Sequence, residues 1–323
     1  MFRTILQISI ILAFIVVILG AYTRLSDAGL GCPDWPGCYG QLSVPDVKDG
    51  TTIQGFSRPL EAAKGWKEML HRYAASSLGL TILVLFFLAL KGNPQRYQSL
   101  KLPGFSTFFV MLQGAFGMWT VTLLVHPGIV TLHLIGGFVT TALLIWMLLN
   151  QSKPPAIYQH TFKKHKLILL IVLGTLSLQI VLGGWTSTNY AALSCGKYFP
   201  KCLNDWWPNM DFASALYWGP LGANYEYGIL ENPARSAIQM IHRIGALITT
   251  LLILLLIYLF RNYTRFRSNL ILIAILLTTQ VTLGILNVVL SLPIIIAVLH
   301  TIVALLLLLS VIKLVHRAFK VPT

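Results

Sequence analysis

Apolar positions along this chain do not alternate with polar ones in the short rhythm of a strand or a surface helix. They come in eight long runs, each close to the length of about 18 residues or more that carries a helix across a bilayer. The runs are Ile5–Tyr22, Tyr73–Leu90, Phe105–Val125, Gly128–Leu149, Leu167–Trp185, Ile244–Phe260, Leu270–Leu290 and Leu292–Ile312. The first is long for a secretory signal, and Gly20-Ala21-Tyr22-Thr23-Arg24 makes a poor cleavage site, so a retained helix is expected. The pattern predicts an all-α, polytopic membrane protein with eight transmembrane helices.

Composition agrees with this and narrows it. Of 323 residues 56% are hydrophobic and 11% charged, against about 25% charged in ordinary soluble domains. Soluble enzymes and disordered tails are excluded. The net charge of +14 would suggest a nucleic-acid partner in a soluble protein. Its distribution gives another reading, with no nucleic acid involved. Arg3, then Lys91, Arg96 and Lys101, then Lys153, Lys163, Lys164 and Lys166, then Arg261, Arg265 and Arg267, then Lys313, Arg317 and Lys320 all fall on one side of the predicted spans, with no acidic residue among them. The remaining ten basic and all ten acidic residues fall on the other side. The positive-inside rule puts both termini in the cytoplasm and the long loops, residues 24–67 and 189–235, outside. Anionic membrane lipid would favour the basic face.

The chain also repeats itself. Gly20-Ala21-Tyr22-Thr23 leads to Cys32 and Cys38, as Gly183-Gly184-Trp185-Thr186 leads to Cys195 and Cys202. His71-Arg72 matches His242-Arg243. Gln113 and His133 are twenty residues apart, as are Gln280 and His300, with Gly117 and Gly284 at matching places between them. Repeats of four helices share one topology, related by a pseudo-twofold axis along the membrane normal. Two antiparallel four-helix bundles side by side are expected, residues 1–155 and 156–323.

The eight histidines divide by place. His160, His165 and His316 lie in basic cytoplasmic segments, and the role of His126, before Pro127, stays open. His71, His133, His242 and His300 lie on the four helices running inward, each after a proline suited to a helix start: Pro59, Pro127, Pro233 and Pro293. Ionisable side chains at such depth are costly and point to function. One turn beyond each stands a small residue, Ala75, Gly137, Ala246 or Ala304, on the same helix face. Small residues are also common at membrane helix contacts, but a porphyrin held by an axial imidazole needs that face cleared. Bis-histidine haem ligation is the favoured reading, with His71 paired to His133 and His242 to His300 as iron ligands. Zinc would want more ligands per site, and a di-iron centre several glutamates.

Glu68 shares the face of His71, whereas the equivalent position in the second half is Gln239. A carboxylate above one ligand and not the other suggests that the first half binds the reacting molecule and the second a resident cofactor. Glu68 would take a proton or stabilise developing positive charge; pairing with Arg72 or Lys67 is the bland alternative. Arg72 and Arg243 are candidates to pair with haem propionates, or to snorkel to the interface. Each outer loop carries one cysteine pair, and an oxidising compartment favours the disulfides Cys32–Cys38 and Cys195–Cys202. They would staple the loops or exchange electrons with a partner.

Taken together, Glu68-x-x-His71-Arg72, His133, His242-Arg243, His300, the twofold repeat of four helices and the loop cysteine pairs make the whole chain resemble the haem A synthase family, in its cysteine-containing bacterial group. The resemblance implies an oxidoreductase of the cell membrane that turns a ring methyl group of haem O into a formyl group, in successive two-electron steps through a hydroxymethyl stage. It implies haem O as substrate in the half with His71, His133 and Glu68, and haem B as cofactor in the half with His242 and His300. Haem O synthase would supply the substrate through the lipid, and cytochrome oxidase with its assembly factors would receive the product. The electron acceptor, the oxygen source and any homo-oligomer stay open. Two rival classes remain: a di-haem electron-transfer protein linked to quinone, and a haem transporter or chaperone.

Overall fold

A computed structural model describes residues 1–91, 100–151 and 165–319. The helices are α1 (Phe2–Leu25), α2 (Ala62–Leu90), α3 (Lys101–Thr122), α4 (Pro127–Asn150), α5 (Lys166–Thr188), the short α6 (Phe212–Ala215), α7 (Asn232–Phe260), α8 (Arg267–Val289) and α9 (Ile294–Phe319). Among the described residues there are no strands beyond isolated backbone bridges. Arg96, Lys153, His160, Lys163, Lys164 and Lys320, and the boundary between residues 155 and 156, lie outside the described residues.

Seven of these segments are long and apolar enough to cross a membrane. Besides the four-residue α6, the exception is α3, a helix of 22 residues. It is diluted by glycine, threonine, serine and glutamine and so falls short on composition.

Two helices begin well before their apolar runs. Hydropathy places the second run at Tyr73, yet α2 starts at Ala62; it places the sixth at Ile244, yet α7 starts at Asn232. The extra turns carry charged residues whose partners come from the outer loops, so they stay helical where an isolated sequence looks like loop. Asp49 accepts from the Ala62 amide at 2.7 Å and so caps α2 from outside the helix. Pro127 and Pro233 stand in the first turns of α4 and α7, and Pro293 directly precedes α9. Pro59 differs: it lies in the loop, where its carbonyl accepts from the Tyr39 hydroxyl at 3.0 Å.

Neighbouring helices follow the repeat. In the first half α1 packs on α2 and α4, and α3 on the same two; in the second, α5 packs on α7 and α9, and α8 on the same two. The halves meet through α4 with α5, α1 with α9, and α4 with α9. The turns after α3 and α8 also match. Each holds two consecutive non-glycine residues in the left-handed region, Leu124 and Val125 in one, Ser291 and Leu292 in the other. Such conformations cost roughly 1–2 kcal/mol per residue and persist only where packing over-determines them.

Apolar packing is concentrated at the end away from the long loops. Leu6, Ala13, Leu78, Ile82, Leu85, Leu144 and Met147 fill the first half there. Leu169, Val172, Ile253, Leu256, Phe260, Ile273, Leu305 and Val311 are among those that fill the second. At the loop end the halves are tied by polar contacts. Arg58 forms a two-pronged ion pair with Glu226, both bonds 2.8 Å, and these hydrogen bonds raise the Arg58 pKa above its ordinary value. Arg24 donates to the Ser187 carbonyl at 2.5 Å and lies 4.2 Å over the Tyr190 ring. The Tyr225 amide donates to the Leu124 carbonyl at 3.1 Å.

Candidate functional site

His71 on α2 and His133 on α4 face each other with ring centres 6.3 Å apart and planes at 88°. A metal–imidazole bond is about 2 Å, and a ring centre lies about 1 Å behind its nitrogen, so two imidazoles on opposite sides of one metal stand about 6 Å apart. The observed pair therefore fits one iron between two axial rings. His242 on α7 and His300 on α9 lie within electrostatic reach of each other in the second half. All four imidazoles are half-buried, and so are Ala75, Gly137, Ala246 and Ala304 one turn further on. Among the described residues no group of three or more His, Cys, Asp or Glu side chains is arranged to hold a bare metal ion.

Each ring rests on a glycine of the neighbouring helix. A β-carbon at Gly20 would stand 2.8 Å from Cε1 of His71; at Gly117, 3.3 Å from that of His133; at Gly183, 3.2 Å from that of His242; and at Gly284, 3.1 Å from that of His300. The helices approach closely at these points because no side chain intervenes.

Glu68 is buried, 4% exposed. Its Oε1 accepts from Nη2 of Arg72 at 2.5 Å, and its Oε2 accepts from the Cys32 amide at 2.9 Å. It thus joins the helix that carries His71 to the first cysteine loop. Gln239 is equally buried, but its carbonyl oxygen has no hydrogen-bond partner among the described residues. Arg72 also donates to the carbonyls of Pro36 and Gly37, and Arg243 to those of Pro200, Lys201 and Tyr198. Both guanidinium groups are engaged in holding the outer loops onto their helices. The sulfur atoms of Cys32 and Cys38 are 2.04 Å apart, and those of Cys195 and Cys202 1.99 Å. All four cysteines are fully buried.

Gly31 makes the Glu68 contact possible. A β-carbon there would lie 2.5 Å from the Lys64 carbonyl carbon and 2.7 Å from the Gly65 nitrogen, so only glycine lets the loop touch α2. Gly31→Ala is expected to lift Cys32 from Glu68 and destabilise the protein by about 1–3 kcal/mol. Thermal unfolding of the detergent-solubilised protein measures this, and an unchanged midpoint would contradict the contact.

His126, whose role the sequence leaves open, is fully buried beneath the second outer loop. Its ring lies 4.9 Å from that of Tyr225 and 5.3 Å from that of Trp218. It serves the junction of the two halves rather than either histidine pair. His316, assigned from sequence to a solvated basic segment, is also buried, with Asn150 2.9 Å from Nε2.

The COX15-CtaA family model, described as cytochrome oxidase assembly protein, matches residues 3–312. The chain belongs to the COX15-CtaA family. That match spans both histidine pairs, Glu68 and both cysteine loops, so the COX15-CtaA assignment rests on the two halves together. Among its relatives, the haem A synthase of Shewanella oneidensis is 43% identical over 294 residues, 88% of this chain and 87% of that protein. The haem A synthase of Halalkalibacterium halodurans is 26% identical over 84% of this chain and 81% of its own length. That of Neorickettsia sennetsu is 27% identical over 88% and 89%. A role in cytochrome oxidase assembly and a multi-pass membrane location follow from this membership together with the seven apolar segments.

Sequence reasoning overlooked one member of the site, Gln179. Its amide stands 2.9 Å from Nδ1 of His242, as that of Gln113 stands 3.0 Å from Nδ1 of His133. The signal was available: a glutamine four residues before a glycine occurs at Gln113/Gly117, Gln179/Gly183 and Gln280/Gly284.

Proposed function

We propose that this protein is a haem A synthase, oxidising the ring methyl group of haem O to a formyl group. The observation that carries the reading is the spacing of His71 and His133, suited to two axial ligands of one iron, within a chain 43% identical to a named haem A synthase. The net conversion of methyl to formyl with water as oxygen source releases four electrons and four protons, in two-electron stages through hydroxymethyl. Two axial histidines leave no open position on an iron, which favours removal of electrons with water supplying oxygen over direct oxygen activation.

In this reading His71 and His133 hold the substrate haem in the N-terminal half. His242 and His300 hold haem B in the C-terminal half, where, when bound, it supplies one-electron exchange. Glu68 sits three residues from His71 and takes a proton released from the reacting group or balances positive charge there. The two disulfides hold the outer loops over the haem sites. All eight long helices, α3 included, span the membrane as two four-helix bundles, supported by the helix neighbours in each half. Both termini face the cytoplasm and the cysteine loops the outer side, supported by the sorting of charge. Haem O synthase would supply the substrate, and cytochrome oxidase assembly factors would receive the product.

Extraction and chromatography of the pigments from the purified protein test this reading. Haem O or haem A beside haem B is expected. Haem B alone, two per chain, would instead identify a di-haem electron carrier.

A further inference from the structure

Between Trp206 and Tyr225 the second outer loop carries a single charged residue, Asp211. The first outer loop carries six between residues 34 and 61: Asp34, Asp46, Lys48, Asp49, Arg58 and Glu61. Asp211 is engaged as the cap of α6, its Oδ1 accepting from the Ala213 and Ser214 amides at 3.0 Å each. The large exposed side chains that follow are apolar or aromatic. Leu216, Tyr217, Trp218 and Leu221 are each more than half exposed, and Phe212 is 41% exposed.

Contacts on the inner side fix the depth of this segment. It begins beside the first turn of α7, where the Asp211 amide donates to the Pro233 carbonyl at 3.2 Å. From there it descends. Ala215 is fully buried, and its carbonyl accepts from the Trp185 indole at 2.9 Å. Trp185 is the last residue of the fifth apolar run. The Trp218 ring lies 6.3 Å from that of Trp185, with planes 20° apart, and its far edge rests on Gly128, where a β-carbon would collide with it. Gly128 is the first residue of the fourth apolar run. Gly219 then turns the chain at φ +77°, and the Tyr225 hydroxyl donates to the Pro220 carbonyl at 2.8 Å. Trp185 and Gly128 belong to different halves, so the segment crosses their junction at the level where both apolar runs end.

That level is the headgroup layer of a bilayer, which tryptophan and tyrosine favour because the ring sits among chains while the polar tip stays wet. Phe212 and Leu216 share a face that turns away from buried Ala215. The helix on which the segment rests continues the apolar surface, since α7 exposes Ile244, Leu247 and Leu251 in its span. A protein partner would find no free charge here by which to be selected.

We propose that residues 212–221 lie in the headgroup layer of the leaflet that borders the long loops, with Phe212, Leu216, Tyr217, Trp218 and Leu221 set among lipid. The inference rests on the multi-pass membrane location and not on the haem reading. Insertion removes from water side chains that the protein itself leaves uncovered. It also holds the junction of the two halves at a fixed depth.

The native cysteines are all paired in disulfides and buried, so one added cysteine can be labelled selectively. Full-length Leu216→Cys and Leu221→Cys are labelled with a nitrobenzoxadiazole fluorophore and reconstituted in vesicles of phosphatidylethanolamine and phosphatidylglycerol. Lys48→Cys, in the charged first loop, is the reference. Phospholipid with a nitroxide near the top of its acyl chain should quench the labels at 216 and 221 about twofold or more above the reference, and iodide on both sides of the membrane should quench them correspondingly less. Iodide quenching equal to the reference, without lipid quenching, would overturn the inference. Protection from both quenchers would also overturn it, and would show this face covered by a second copy of the chain.

Discussion

Replacing His242 with alanine is expected to remove one haem per chain and to abolish haem A formation while leaving the fold assembled. His242 rests on Gly183 and is held by Gln179, so both its neighbours exist to place this ring. Changes to groups that merely support a metal ligand already cost about 10–100-fold in affinity or activity, and loss of the ligand itself should exceed that. Truncating the ring leaves the apolar packing of Leu169, Ile253, Phe260 and Leu305 untouched at the opposite end of the helices. Haem content measured against protein, with helicity by circular dichroism, separates lost ligation from lost fold. A His242→Ala protein that retains full haem would show that the pair His242 and His300 does not bind it.

The second large effect is expected at Glu68. Glu68→Gln should lower turnover by about 100-fold or more, the range typical of a lost proton-transferring group. The fold should survive, because Gln239 already occupies the equivalent place and Arg243 is held there by loop carbonyls and the Phe199 ring without a carboxylate. The ion pair complicates the result in a way that can be separated. Breaking a buried pair by removing one partner costs about 3–5 kcal/mol, so the Glu68→Gln protein should also unfold at lower temperature. Glu68→Asp keeps the charge but shortens the side chain. It should recover stability in part while turnover stays low if the carboxylate must reach the substrate. Full turnover of Glu68→Gln with two haems bound would leave Glu68 as a purely structural link between Arg72 and the Cys32 loop.

How much of this was legible in the residues differs from feature to feature. The pairing of His71 with His133 was readable because a histidine within an apolar run stands out and because the spacing recurs in the second half. Glu68 stood out for the same reason, yet its partners did not. The Arg72 contact follows from helical spacing, but the Cys32 amide reaches Glu68 only because Gly31 lets the loop lie on α2. Pro233 marked the start of α7, which hydropathy alone places later; α2 also begins before its apolar run, where Asp49 caps the first turn and Pro36 and Gly37 accept from Arg72 further along the helix. His316 looked like part of a basic cytoplasmic segment and His126 had no assigned role; burial by the other half of the molecule is a property of assembly, not of the local sequence.

By itself the sequence determined that the chain is membrane-embedded, how its charge is sorted, that it repeats, and which four imidazoles are costly enough to demand a function. Those features are encoded locally, in the apolar length of each run and in the price of a polar group in lipid. Only the tertiary structure decided that each ring rests on a glycine of the neighbouring helix and that the Gln179 amide reaches the ring of His242. Such contacts join residues 16 to 63 positions apart. They depend on the crossing of packed helices, where a single β-carbon sets how closely two helices can approach.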